Sequence, residues 1–324
     1  MTSREIVTAN LNHTPVHRPG LNFDRGRKDD LCRTGPGSPE GYVQRRWRDG
    51  PLEYYDDAWG NTWVRMADGS QKGEIHRPVI EEWSQLDSFE PPVYDVDRTA
   101  TTIRKGFADA GDRFRVAGIG GWVFDNARYL RKLEVYLMDL ALHPDEVREL
   151  NSRVARVYEA LVHAAGQAGA DAIMIGEDMG TQTGLLFSPQ MFREFFKSDY
   201  TRLMGLAHEY GMKVLMHSCG SNREILDDLI DCGVDAFQFD QPTVYDMDEL
   251  AALFRRRTVA LYSPVDIQKV LPTGDRSHIE AQTRRMCRIF EGCLIVKNYP
   301  DLAGIGVEEE WDDWAYQAVL EMSG

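Results

Sequence analysis

The chain has 324 residues, 43% of them hydrophobic; that suffices for a large core, yet no stretch approaches the ~20 consecutive apolar residues of a membrane-spanning helix. Its 37 lysines and arginines against 52 aspartates and glutamates leave a net charge of −15, which repels phosphate backbones and argues against nucleic acid as a partner. The opening MTSREIVTANLNHT has no apolar h-region, and the scattered cysteines Cys32, Cys219, Cys232, Cys287 and Cys293 form no disulfide framework, so the expected location is the cytoplasm.

In chain order, residues 1–100 read irregularly and are rich in Gly, Pro, Asp, Arg and Trp. A first strand is expected near Pro19–Phe23, carrying Asn22, followed by a small elaboration that closes before Pro91-Pro92. From Phe114 onward, short apolar runs alternate with helix-length amphipathic stretches. The runs are Phe114–Ile119, Ala172–Gly176, Lys213–His217, Ala236–Asp240, Val259–Tyr262 and Leu294–Lys297. Such alternation implies parallel strands with crossover helices. Ser188-Pro189 predicts a capped helix through Phe192, Phe195, Phe196, Leu203 and Leu206 that stops at Gly211. Ser221-Asn222-Arg223-Glu224 reads as a capping box for a helix that ends at Gly233.

With the first strand near Pro19–Phe23, these six runs make about seven strands, against the roughly eight of a closed barrel. An eighth strand hidden in the irregular region is favoured over an open doubly wound sheet. The expected architecture is an α/β fold, a (β/α)8 TIM barrel forming a single domain over residues 1–324, with the first strand and N-terminal elaboration in 1–100 and the barrel core in 101–324.

In such a barrel the loops that follow the strands build the site. Residues two apart on a strand share a face, so His217 and Cys219 present an imidazole and a thiolate together, a pair suited to a divalent metal, above all zinc. The plainer alternative is a hydrogen-bonded core histidine beside a small buried cysteine. Asp240 ends the next apolar run. A carboxylate there must be paired, hydrogen-bonded or metal-bound, or it is a turn residue ahead of Gln241-Pro242. Glu177 and Asp178 should point to opposite faces, so one of them, Asp178 for preference, is expected in the pocket as acid/base, ligand or substrate anchor. Gln182, Asp266, Tyr299 and Asn22 lie at strand ends and are candidate substrate contacts. Cys293 starts the last strand at the end away from the site, and Cys287 falls in a predicted helix.

Several stretches together resemble the uroporphyrinogen decarboxylase-like superfamily: Gly176–Gln182 leading into Leu185–Phe192, Gly211–Gly220 with His217-Ser218-Cys219, and Gly233–Ala236. The resemblance runs from about Phe114 to the C-terminus. The decarboxylase branch is metal-free, and its arginine-rich N-terminal motif is absent here, Asp24-Arg25-Gly26-Arg27-Lys28 being the nearest stretch. The chain is more similar to the branch of zinc methyltransferases acting on methylcobamides. That resemblance implies zinc on His217 and Cys219, with Asp240 as the acidic ligand. The later cysteine of that branch is missing near Asn298–Pro300, where Tyr299 stands instead. It further implies a small-molecule substrate, a methylcobamide or folate-type methyl donor, and a corrinoid protein or an oligomer as partners. Two alternatives are a metal-free decarboxylase of the uroporphyrinogen type and a non-catalytic barrel that binds a small molecule or corrinoid.

Overall fold

The computed structural model of the chain describes residues 1–67 and 73–322, and within these the strands form two sheets. In chain order the strands are β1 (Gly20–Asn22), β2 (Leu31–Thr34), β3 (Arg46–Asp49), β4 (Leu52–Asp56), β5 (Thr62–Met66), β6 (Glu74–Arg77), β7 (Phe114–Gly120), β8 (Ala172–Gly176), β9 (Lys213–His217), β10 (Ala236–Gln238), β11 (Ala260–Ser263) and β12 (Leu294–Lys297). Eight of them pair in the order β1-β12-β11-β10-β9-β8-β7-β2, every ladder parallel. Helices follow every strand of this sheet except β1, which runs directly into β2, and they pack outside, giving a nearly closed (β/α)8 barrel as expected. β1 and β2 meet through a bridge between Asn22 and Asp29 and a hydrogen bond from Asp30 N to Leu21 O (2.7 Å).

The eighth strand is β2, in the irregular region. Only Leu31 and Cys32 of its four residues are buried, so it carries little apolar signal. β10 is shorter than the run that announced it: its ladders to β9 and β11 both end at Gln238, opposite His217 and Tyr262. The helix predicted after Ser188 is two helices, Pro189–Phe195 and Lys197–Glu209, broken at Phe196. The Ser188 hydroxyl does cap the first, accepting from Met191 N at 3.2 Å. The capping box at Ser221–Glu224 does not form: Asn222 turns its amide to Ser218 Oγ (2.6 Å), and the helix proper starts at Leu226.

The core is continuous through the barrel and its helices, with Trp122, Tyr136, Tyr200, Phe124, Phe192 and Phe237 fully buried. A helix that the sequence did not announce, Ser3–Leu11, packs against β1, β7 and β12 with Val7 and Leu11 buried. Near it the Asp30 carboxylate is buried on Arg18 (2.5 and 2.9 Å), Ser3 Oγ (2.7 Å) and Leu21 N (2.9 Å). The second sheet, β3-β4-β5-β6, is antiparallel and leans on the helix Val123–Arg131 through Trp63 and Tyr129, whose rings are 4.9 Å apart. Among the described residues no helix is long and apolar enough to cross a membrane.

Candidate metal centre

The loops after β8 and β9 touch backbone to backbone. Gly220 has φ +73°, which disfavours any side chain, and a Cβ there would lie 2.4 Å from Gly180 O. Ser221 N donates to Thr181 O at 2.8 Å. This contact sets Asp178 against Cys219: the Cys219 amide donates to Asp178 Oδ1 at 2.9 Å. His217 Nε2 lies 3.7 Å from the same oxygen and 3.5 Å from Cys219 Sγ. One ligand atom from each of Asp178, His217 and Cys219 therefore falls within 4.8 Å of the others. The trio is reachable from solvent, with 39% of the Asp178 side chain and 27% of that of His217 exposed.

The His217 ring is oriented from behind. Lys297 Nζ donates to Asp240 Oδ1 at 2.9 Å, Gln238 Nε2 donates to the same oxygen at 2.7 Å, and His217 Nδ1 lies 2.6 Å from Gln238 Oε1. Since a carboxylate only accepts, Asp240 fixes which end of the Gln238 amide faces it. The Gln238 oxygen is then left for the histidine, so Nδ1 carries the proton and Nε2 presents its lone pair to Cys219 and Asp178. A proton on the thiol can lie between Sγ and Nε2. A divalent cation satisfies all three donors at once, and the thiolate, imidazole and carboxylate set suits zinc.

This trio differs from the ligand set expected from the sequence. Asp240 is not in the trio, because the buried Lys297 ammonium neutralises it and Gln238 stands between it and the ring. Asp178 takes its place. Gln238 and Lys297 were missed, although the signal was available: Gln238 is two residues before Asp240 on the same strand face, and Lys297 is a charge at the end of a wholly buried run.

Glu177 and Asp178 do point apart. Glu177 is fully buried and caps the helix Val123–Arg131, accepting from Phe124 N (3.0 Å) and Asp125 N (2.8 Å) and from the Tyr200 hydroxyl. Burial, and then the nearby Asp125 charge, push its carboxyl well above the usual range, against the pull of those donors. Asp125 is raised too, first by burial, although Arg128 holds it at 2.6 Å. Glu177 thus serves the scaffold behind the trio.

The remaining candidates divide. Gln182 is exposed and bridges the loops after β8 and β10 through Gln241 Oε1 at 2.9 Å. Tyr299 is half-buried, with Lys297 Nζ 5.8 Å from its ring centre. Asp266, by contrast, is spent on its own loop: Oδ1 accepts from Gln268 N (2.8 Å) and Lys269 N (2.7 Å), and Oδ2 from Thr243 Oγ1 (2.5 Å) and N (3.2 Å). Asn22 is buried at the barrel seam, donating to Asp29 Oδ1 (2.9 Å) and accepting from the Tyr262 hydroxyl. Both side chains are thus engaged within the scaffold. Cys287 and Cys293 are buried away from the trio, and burial pushes their thiols up, to about 12 and about 11.

Against known proteins, a family model described as "Uroporphyrinogen decarboxylase (URO-D)" matches residues 60–298, more than half of the chain. The methylcobamide:CoM methyltransferase MtaA of Methanosarcina barkeri is 32% identical over 82 residues, a stretch that is 25% of this chain and 23% of that protein. A solved methyltransferase from Methanosarcina mazei superposes with a TM-score of 0.66 at 17% identity, covering 82% of this chain and 77% of the other; at that identity the likeness is one of fold.

Proposed function

Because the chain belongs to the uroporphyrinogen decarboxylase family, we propose that it is a zinc-dependent methyltransferase or demethylase of that family, working in corrinoid or one-carbon metabolism. The observation that carries this reading is the convergence of Asp178, His217 and Cys219 on one point within 4.8 Å, with the His217 lone pair turned toward the two other donors by Gln238. The partial match to a methylcobamide methyltransferase supports methyl transfer over decarboxylation.

In this reading Cys219 and Asp178 bring two negative charges and His217 a neutral nitrogen, which balances a divalent ion. Bound there, zinc supplies Lewis acidity and lowers the pKa of a thiol, alcohol or water at its open position. A single thiolate, in place of the two expected for this branch, makes the site harder and favours oxygen over sulfur in the substrate. In this reading Gln182 and Tyr299, in the loops after β8 and β12, contact that substrate, and a methylated corrinoid, free or on its protein, or a folate-type compound is the counterpart in the transfer.

Metal content tests the site. Protein purified without chelator should carry about one equivalent of zinc per chain, and His217→Ala and Cys219→Ser should lose it while keeping the circular dichroism of the barrel. Less than about a tenth of an equivalent, with no uptake on adding zinc, cobalt or iron, removes the metal site. Full metal without any turnover of methylcobalamin would remove methyl transfer instead.

A further inference from the structure

We propose that Arg33 is an anion anchor in the barrel mouth and that the substrate is a small carboxylate held between it and the Asp178–His217–Cys219 trio. This rests on the reading above for the trio, but the anchor itself needs no metal.

The side-chain direction follows from the strand. Cys32 Sγ lies 3.7 Å from Gly106 O, in the outer helix Val96–Gly106. Thr34 presses on the same glycine so closely that a Cβ on Gly106 would collide with it. Cys32 and Thr34 therefore face outward, and alternation sends Leu31 and Arg33 inward. Leu31 is buried, while Arg33, one position from the strand's C-terminal end, is exposed. An exposed residue on the inward face at that end opens to the mouth.

Its height in the barrel follows from the ladders. Arg33 pairs with Val116, Val116 with Ala172, and Ala172 with Lys213. Four strands round from β2, the β9 to β10 ladder pairs Leu215 with Ala236. In an eight-stranded barrel of this type the stagger is about one residue per strand. Adding it brings Arg33 level with Gln238, on the opposite wall and beside His217. Burial pushes the Tyr262 hydroxyl up, and the Arg33 charge pulls it partly back.

Arg33 differs from its neighbours in charge pairing. Arg18 is on Asp30, Arg25 on Glu309, Arg27 on Asp312 and Asp313, Arg128 on Asp125, and Lys297 on Asp240. Among the described residues no carboxylate lies within ion-pair distance of Arg33. The acid that shares its surroundings, Asp29, has Oδ1 engaged by Asn22 Nδ2 and Leu31 N. In a chain with a net charge of −15, one guanidinium left unpaired on the inner wall is the mouth's attraction for an anion. Its planar fork matches a carboxylate. The barrel interior is packed with side chains, so a ligand sits at the C-terminal mouth, where a carboxylate on Arg33 directs the far end of a small molecule to the trio.

Calorimetric titration of the whole protein, as purified and after chelator treatment, tests this with two matched pairs: 4-methoxybenzoate against 4-methoxybenzamide, and methoxyacetate against methoxyacetamide. In both preparations the carboxylates should bind at least about tenfold more tightly than the amides, a difference of ~1.4 kcal/mol. Arg33→Gln should abolish that preference, and Arg33→Lys should keep part of it. Equal binding of acid and amide, retained preference in Arg33→Gln, or no carboxylate binding at millimolar concentration overturns the anchor. Failure of the metal reading appears separately, as absence of zinc with the charge preference intact.

Discussion

Replacing Gln238 by Leu tests how the His217 ring is held. The substitution nearly conserves volume at a buried position. It removes the acceptor 2.6 Å from His217 Nδ1 and leaves Asp240 its Lys297 partner at 2.9 Å. The barrel should therefore stay folded while the ring loses what fixes its tautomer and angle. Partners that orient a ligating histidine are worth 10–100-fold in metal affinity, so the dissociation constant for zinc should rise by that factor, about 1.4–2.8 kcal/mol. Competition against a chromogenic chelator measures the affinity. Nitrogen chemical shifts of His217 in metal-free protein give the tautomer: protonated at Nδ1 in the parent chain, mixed in the variant. A zinc affinity within about twofold of the parent, or a parent ring protonated at Nε2, would refute the relay from Lys297 through Asp240 and Gln238.

Three further outcomes are expected. Asp30→Asn should cost about 3–5 kcal/mol in urea unfolding at pH 7, since it leaves Arg18 without its buried partner. Burial raises the Asp30 carboxyl, but Arg18, Ser3 and the Leu21 amide outweigh it and hold the pKa below the usual value. Its contribution is accordingly present above the unfolded pKa of about 3.9 and lost as pH falls through the folded one, and unfolding curves of the variant should lack that acid-side component. Glu177→Leu should destabilise by roughly 2 kcal/mol or more, because the Phe124 and Asp125 amides lose their acceptor, yet leave zinc stoichiometry unchanged; a variant of normal stability that binds no zinc contradicts the scaffold role. Gly220→Ala should lower both thermal stability and zinc content, since the new Cβ meets Gly180 O and the backbone is left-handed there; unchanged zinc content would mean that the contact between the two loops does not position Asp178.

The barrel was legible in the sequence because six of its strands are continuous apolar runs separated by amphipathic helices, and that pattern has one economical packing. The pairing of His217 with Cys219 was legible for a similar reason: a two-residue offset on a strand fixes a shared face whatever surrounds it. β2 was not legible, since half of its four residues are not buried and one of them is Arg33. The third donor was not legible either. Asp178 and Asp240 both end strands beside β9, and spacing alone ranks them equally. The choice depends on Lys297, 57 residues beyond Asp240, whose ammonium takes Asp240 from the trio, and on the contact between Gly180 and Gly220, which brings Asp178 to the Cys219 amide. Side-chain direction along one strand is a local property. Which charges neutralise each other across the barrel is settled only when distant strands close on one another.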